Sequence, residues 1–287
     1  MAVGPYALTT LAKLKQWAGI STSTDDAVLE AAIDRATSRI ESYLERNIRS
    51  RSYAEWRSGE GVDTIRLYQW PVTQVTSVWS GNYAALVVGT GVPTDIRASI
   101  AINQETGTNA CVLNRTDSAG ATTTTSLGFT TYPTTAGLAA AIGGTAGYTC
   151  SLGKNLRSVQ LRPRAGADCV LANVTLYAAD TPSEFTYDYE RGRLTIDRSW
   201  FAYWPLQKGI MPNVAKSILV EYTAGYATVP DDVEQACIEV ALMLYRDRRR
   251  DANLQSESLG DYSYSRGTVA EMNAKLDSLL ERWKEIN

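Results

Sequence analysis

Residues 222–245 read Tyr222-Thr-Ala-Gly-Tyr-Ala-Thr-Val-Pro-Asp-Asp-Val-Glu-Gln-Ala-Cys-Ile-Glu-Val-Ala-Leu-Met-Leu-Tyr245. Two elements meet in this stretch. A β-rich run, Ala215–Thr223, ends at Gly225. Val229-Pro-Asp-Asp232 then opens a helix, with Pro230 near its first positions and the acids on the positive end of the dipole. From Val233 to Tyr245 almost no polar face is left. A helix apolar all round is buried on all sides. In a small domain that predicts burial partly against a neighbouring subunit.

Upstream, the first 83 residues supply partners for this helix. Thr9 or Thr10 caps a short helix through Leu11, Leu14 and Trp17 that stops at Gly19. Thr24 is the expected N-cap of a longer helix of about six turns. Leu29, Ile33, Ala36, Ile40 and Tyr43 or Leu44 form its apolar stripe. Strands are expected at Arg51–Arg57, Thr64–Trp70 and Val72–Trp79. Downstream, Phe185–Tyr189 and Arg193–Ile196 read as a hairpin turning at Glu190-Arg-Gly192. Thr268-Val-Ala-Glu271 is a capping box opening a last helix.

Between these parts the composition changes. Ala84–Ser183 carries 11 charged residues in 100, whereas the other 187 residues carry 48. It is rich in Thr, Ala and Gly. Short runs at Ala98–Ile102, Ala110–Asn114, Thr122–Thr130, Tyr148–Leu152, Ser158–Arg162 and Val170–Tyr177 predict strands, and Ala136–Ile142 a helix. Residues 84–183 therefore read as a β-rich module with one short helix. It splits a discontinuous host domain of residues 1–83 and 184–287. The expected fold class is α+β: a mainly helical host with a small β-sheet portion, split by the inserted module.

Several chemistries are excluded at this level. With no histidine among 287 residues, a Ser-His-Asp triad, a Cys-His pair and a His-ligated metal have no basis. Cys111, Cys150, Cys169 and Cys237 include no CxxC pair. No phosphate-loop or dinucleotide motif occurs. A net charge of −3 does not suit tight binding along a phosphate backbone. No signal peptide and no membrane-spanning run is seen. No cofactor and no metal are expected.

Few residues suggest chemistry. Glu184, Asp188 and Glu190 alternate along one strand face, which would suit a carboxylate pair for glycoside hydrolysis or, more simply, a solvated edge beside a turn. The Arg246–Arg250 cluster either complements the negative helix end or contacts nucleic acid or an acidic partner. Tyr262 and Tyr264 mark a linker or an interaction tail. Trp200, Tyr203 and Trp204 suit core or interface packing, or a glycan platform.

Four segments resemble the head–tail connector (adaptor, head-completion) proteins of long-tailed bacteriophages. They are Leu8–Trp17 with Asp25–Leu29 and the helix after it; Pro71–Val78; Glu190–Leu194 with Tyr222–Ala236; and Arg248–Arg250 with Ser256–Ser265. The resemblance covers roughly residues 6–83 and 184–266 and leaves out 84–183. It implies a non-enzymatic virion protein, made in the host bacterial cytoplasm and placed at the virion neck. There it would form a twelve-fold ring between portal and tail, with DNA passing through without specific binding. Implied partners are other copies of the chain, the portal, and tail or neck proteins. A fibre or decoration protein would be met through 84–183. The portal or subunit interface would use Val233, Cys237, Val240, Leu244, Arg248, Arg249, Arg250, Leu259, Gly260, Asp261, Tyr262 and Tyr264. Two other functions stand beside this one: a phage surface or glycan-binding protein acting through the inserted module, and a neck-associated peptidoglycan hydrolase using Glu184, Asp188 and Glu190.

Overall fold

A computed structural model describes residues 2–59, 64–105, 108–182, 185–196, 215–248, 256–259, 262–265 and 276–284. The chain divides into two compact units. The first comprises Met1–Arg51, Tyr68–Thr73 and Thr223–Asn287, and the second Ser52–Leu67 and Gln74–Tyr222.

The first unit is built on α1 (Leu11–Ala18) and α2 (Asp26–Leu44). The Thr10 hydroxyl accepts from the Lys13 amide, and Gly19 closes α1 in the left-handed region. On α2, Leu29, Ala32, Ile33, Ala36, Thr37, Ile40 and Leu44 are buried. This is the stripe that the three-and-four spacing predicts. They pack with a long helix, Asp231–Asp247, and with Leu276 and Leu280 near the carboxyl end in one apolar core. Arg46, 4% exposed, lies 3.5 Å from the Trp70 ring. It donates to the main-chain carbonyls of Trp70 and Trp283 at 3.2 and 3.1 Å. Buried in this way, the cation gains ring and carbonyl partners in place of water.

The second unit is sheet. In chain order its strands are β1 (Arg51–Arg57), β2 (Thr64–Arg66), β3 (Val72–Ser80), β4 (Tyr83–Thr90), β5 (Arg97–Glu105), β6 (Thr108–Thr116) and β7 (Thr122–Gly128). A helix, α3 (Thr135–Gly144), follows. Then come β8 (Tyr148–Leu152), β9 (Arg164–Asp168), β10 (Val174–Ala178), β11 (Thr181–Pro182), β12 (Phe185–Asp188), β13 (Arg193–Ile196) and β14 (Ile218–Ala224). The sheets run β1-β14-β3-β11, β10-β4-β8, β12-β13-β2 and β7-β6-β5-β9. The ends of β1, β3 and β14 reach into residues of the first unit. The long helix Asp231–Asp247 is α4, and β15 (Ser256–Leu259) pairs with β16 (Tyr262–Ser265) as a hairpin.

The sheets β10-β4-β8 and β7-β6-β5-β9 enclose one core together with α3. Leu86 and Val88 of β4, Ile100 and Ile102 of β5, Leu113 of β6, and Leu138 and Ile142 of α3 fill it. The Tyr148 hydroxyl reaches from β8 to the carbonyls of Ser99 and Asn114 at 3.1 and 2.8 Å. Asp95, almost fully buried, holds Arg115 through two bonds of 2.6 and 2.8 Å.

The expectation of a mainly helical host does not hold. Sixteen strands stand among the described residues, and strand residues outnumber helical ones. Among the described residues, α-helix is confined to 11–18, 26–44, 135–144, 231–247 and 276–280. Residues 51–80 and 185–224, assigned to the host, contribute strands to two sheets instead. Their β-branched and aromatic residues alternate between faces, and pairing partners distant in the chain convert that alternation into sheet. Residues 158–162 also differ from the expected strand. Ser158–Gln160 is a 3-10 turn. The Ser158 hydroxyl donates to the Tyr132 carbonyl, and the Gln160 side chain donates to the Ala179 carbonyl and accepts from the Arg157 amide. These side chains satisfy the local backbone, so no ladder is needed.

Candidate functional site

The candidate interface residues fall into three groups. Val233, Cys237 and Val240 lie on the covered face of α4, at 0%, 0% and 3% exposure. The protomer's own helices supply that cover. Cys237 meets the Thr37 hydroxyl of α2 at 3.8 Å. Burial pushes its thiol up to about 12, so it stays protonated and unreactive near neutrality. Leu244 is half-buried. It lines a cleft of about 810 Å³ with the outer face of α2 and with Leu276.

Arg248 is committed within its own chain. Its guanidinium donates to Asp25 at 2.7 Å and lies 4.2 Å from the Tyr245 ring. The Tyr245 hydroxyl donates to the same carboxylate oxygen at 2.6 Å. Asp25, not Thr24, is the N-cap residue of α2, and its side chain makes no capping bond. The last turn of α4 draws the carboxylate away from the helix start.

Leu259, Tyr262 and Tyr264 sit on the β15–β16 hairpin, with Leu259 opposite Tyr262 and Glu257 opposite Tyr264. Arg249, Arg250, Gly260 and Asp261 lie outside the described residues, as do Trp200, Tyr203, Trp204 and the capping box at 268–271.

The carboxylate set does not form a catalytic pair in the described structure. Asp188 Oδ1 accepts from the amides of Glu190 and Arg191 at 3.1 and 3.2 Å. This is the side-chain turn that stabilises the β12–β13 hairpin. Glu190 is exposed at the turn, and Glu184 lies outside the described residues. Among the described residues, no group of three or more His, Cys, Asp or Glu could hold a metal ion. Burial raises the thiols of Cys111, Cys150 and Cys169 to about 12, 11 and 11, and all four cysteines are free.

One polar cleft was missed from sequence. It measures about 400 Å³ and is lined by Thr64, Thr186, Tyr187, Asp188, Arg193 and Thr195. Register explains it. Thr186 lies opposite Thr195 and Thr195 opposite Thr64, while Asp188 lies opposite Arg193. Alternation puts these five residues, with Arg66 opposite Arg193, on one face of the sheet, and Tyr187 with Leu194, fully buried, on the other. The polar alternation in Thr186/Asp188 and Arg193/Thr195 was visible in the sequence. The third strand, 130 residues away in the chain, was not.

The family model for head completion proteins matches residues 7–87. No curated protein matches the chain. Two solved assemblies are similar along its whole length. One is the neck of the native gene transfer agent particle computed with C12 symmetry, at 16% identity and a TM-score of 0.41, covering 100% of this chain and 93% of that one. The other is the virion of the native gene transfer agent particle, at 14% identity and a TM-score of 0.44, covering 100% and 94%. Over residues 7–87 the chain is similar to the head completion proteins, and the resemblance to head–tail connectors is borne out there.

Proposed function

We propose that the chain is a structural head–tail adaptor of the virion neck, assembling as a ring of like subunits between portal and tail around the DNA path. The observation that carries this is the head completion match over residues 7–87. That segment holds α1, α2 and the strands that follow. A ring of twelve copies is the stoichiometry that the connector resemblance implies. Such a protein needs no catalytic group. A net charge of −3 suits a conduit, because each phosphate neutralised by a cation adds salt-dependent grip on DNA.

Heterologous contacts around a ring require two different surfaces per subunit. Because Val233, Cys237 and Val240 are covered in cis, the proposed contact moves outward, to Leu244 at its cleft and to the β15–β16 hairpin. Residues 84–183 are proposed as a module of their own on the outer wall, available to a fibre or decoration protein. Its core supports this division, since every residue of that cluster lies between Ala85 and Ala178.

Electron microscopy and light scattering of the purified protein, alone and mixed with its portal, test the reading. Rings, free or seated on the portal, are the expected result. A chain that stays monomeric in both samples overturns it.

A further inference from the structure

We propose that the outer edge of β7 pairs with β7 of a second copy of the chain, joining the two sheets across a two-fold axis. β7 is an edge strand of the sheet β7-β6-β5-β9. It pairs with β6 from Thr122 opposite Thr116 to Gly128 opposite Ala110, with no break in register. Just beyond this ladder, the Phe129 amide donates to the Asn109 carbonyl and the Asp117 amide to the Ala121 carbonyl. Those bonds fix the parity of the strand. Thr123, Thr125 and Leu127 turn their backbone groups to β6, and Thr122, Thr124 and Ser126 turn theirs outward. Among the described residues, no hydrogen bond reaches this outward row of amides and carbonyls. A turn bounds the row at each end. The Gly128 carbonyl accepts from the Thr131 and Tyr132 amides, and Asp117 Oδ1 accepts from the Ala119 and Ala121 amides.

Sheet edges are ordinarily guarded by charge, proline, a bulge or a covering segment. β9, the other edge of this sheet, carries Arg164 and Asp168, and its register against β5 shifts. In the sheet β10-β4-β8 the edge of β10 is covered. There the Tyr177 carbonyl accepts from the Arg162 amide, and the Thr175 carbonyl from the Arg164 guanidinium. β7 has neither charge, proline nor bulge. From Ser118 to Gly153 the sequence carries no charged side chain. Parity and symmetry select the occupant. An antiparallel partner must set outward residues opposite outward residues. The row is centred on Thr124, so a second β7 places Thr124 opposite its own counterpart and Thr122 opposite Ser126. Each backbone donor then meets an acceptor. All three side chains are exposed, every facing pair in the row is hydroxyl on hydroxyl, and no like charges meet. Such a contact is isologous, whereas ring closure is heterologous. The pairing therefore joins two chains, or two rings, and does not rest on ring formation.

The full-length protein is tested by light scattering and by cysteine crosslinking. Thr124→Pro removes an outward amide, and Ser126→Lys puts a charge in the row. Neither disturbs a backbone bond to β6. Both variants are expected to keep the wild-type melt by circular dichroism and to show half the wild-type mass at equal concentration. Thr124→Cys, treated with diamide, is expected to give a disulfide-linked dimer. Wild type, and Ala172→Cys with an equally exposed site on a loop, should give none. A wild-type mass retained in both folded variants overturns the proposal. So does crosslinking of Thr124→Cys no stronger than that of Ala172→Cys, which is the result expected if another part of the same chain covers β7. A mixed disulfide between Thr124→Cys and a different protein, without the dimer, overturns it in favour of a foreign strand. Dimers without rings would fail only the ring reading. Rings whose mass is unchanged in both variants would fail only this one.

Discussion

At Gly225 the backbone takes φ 106°. A Cβ there would meet the main-chain carbonyl of Arg49 at 2.7 Å. The Gly225 amide donates to the Pro71 carbonyl at 2.9 Å, and the Tyr226 amide to the Ile48 carbonyl at 2.8 Å. The glycine in the Tyr-Thr-Ala-Gly-Tyr run thus lets the chain leave β14 against neighbouring backbone before α4 begins. Gly225→Ala is expected to destabilise the protein by about 1–3 kcal/mol from the forced φ alone, with crowding against Arg49 adding to it. Chemical denaturation measures this, and an unchanged midpoint would show that the junction relaxes freely. Asp25 shows the opposite case, in which a residue's type misleads about its role. Its place before a periodic run suits capping, yet Arg248 and Tyr245 take its carboxylate. Local sequence cannot show a partner 220 residues away.

Among the elements, α4 was the plainest in sequence and its surroundings the least. Its start, length and apolar content followed from Val229–Tyr245. The partner that covers it did not, because composition states how much surface must be buried and not by whom. Its polar residues are also engaged: Glu234 accepts from the Thr9 hydroxyl and pairs with Lys13 at 2.7 Å, and Gln235 donates to Glu239. This yields an element-scale prediction. Val240→Asp places an unpaired carboxylate in a closed core and is expected to prevent folding of the protomer, at a cost of several kcal/mol. Leu244→Arg, at the half-covered end, is expected to leave the fold intact and to shift rings towards smaller species. Circular dichroism and light scattering on both variants separate the two effects. A folded Val240→Asp monomer would return that face to the subunit interface. Elsewhere, the charge drop at residue 84 marks a module boundary in the sequence, whereas β4 runs across it. Tyr83–Thr90 carries no charged side chain, so the drop falls inside a strand. Charge density reports solvent exposure, not backbone pairing. For the same reason the 158–162 run, β-like in composition, became a turn.

For the whole molecule, the question is whether residues 84–183 fold as a body or only complete a larger one. The α3 helix was legible as Ala136–Ile142, and the Thr134 hydroxyl caps it by accepting from the Gly137 amide. The pairing of β4 with both β8 and β10 was not, since it joins segments some 60 and 90 residues apart. These pairings bring two sheets and one helix around a core drawn wholly from within the segment. Contacts to the rest of the second unit are apolar at Ala179, which is buried with Trp56 and Leu219 and against which Trp79 packs, and polar elsewhere. Arg157 pairs with Glu221 at 2.9 Å, with 45% and 22% of their side chains exposed. Burial alone would raise Glu221, but Arg157 and the Ser77 hydroxyl overcome it and hold the carboxylate low. An ion pair this open adds at most about 1 kcal/mol. Trp56 donates to Gln104 at 2.7 Å, and β11 pairs with β3 over two residues. A module of about 100 residues has the size of an independent domain. A fragment of residues 82–180 is therefore expected to give a β-type circular dichroism spectrum and a single cooperative melt. Leu138→Ala within it should lower stability by about 2–5 kcal/mol, because Leu138 is fully buried in that core. A fragment that shows no cooperative transition would mean that the ties to β1, β3 and β14 are required. The module would then be part of the adaptor's wall and could not act as a separable appendage carried on its outside.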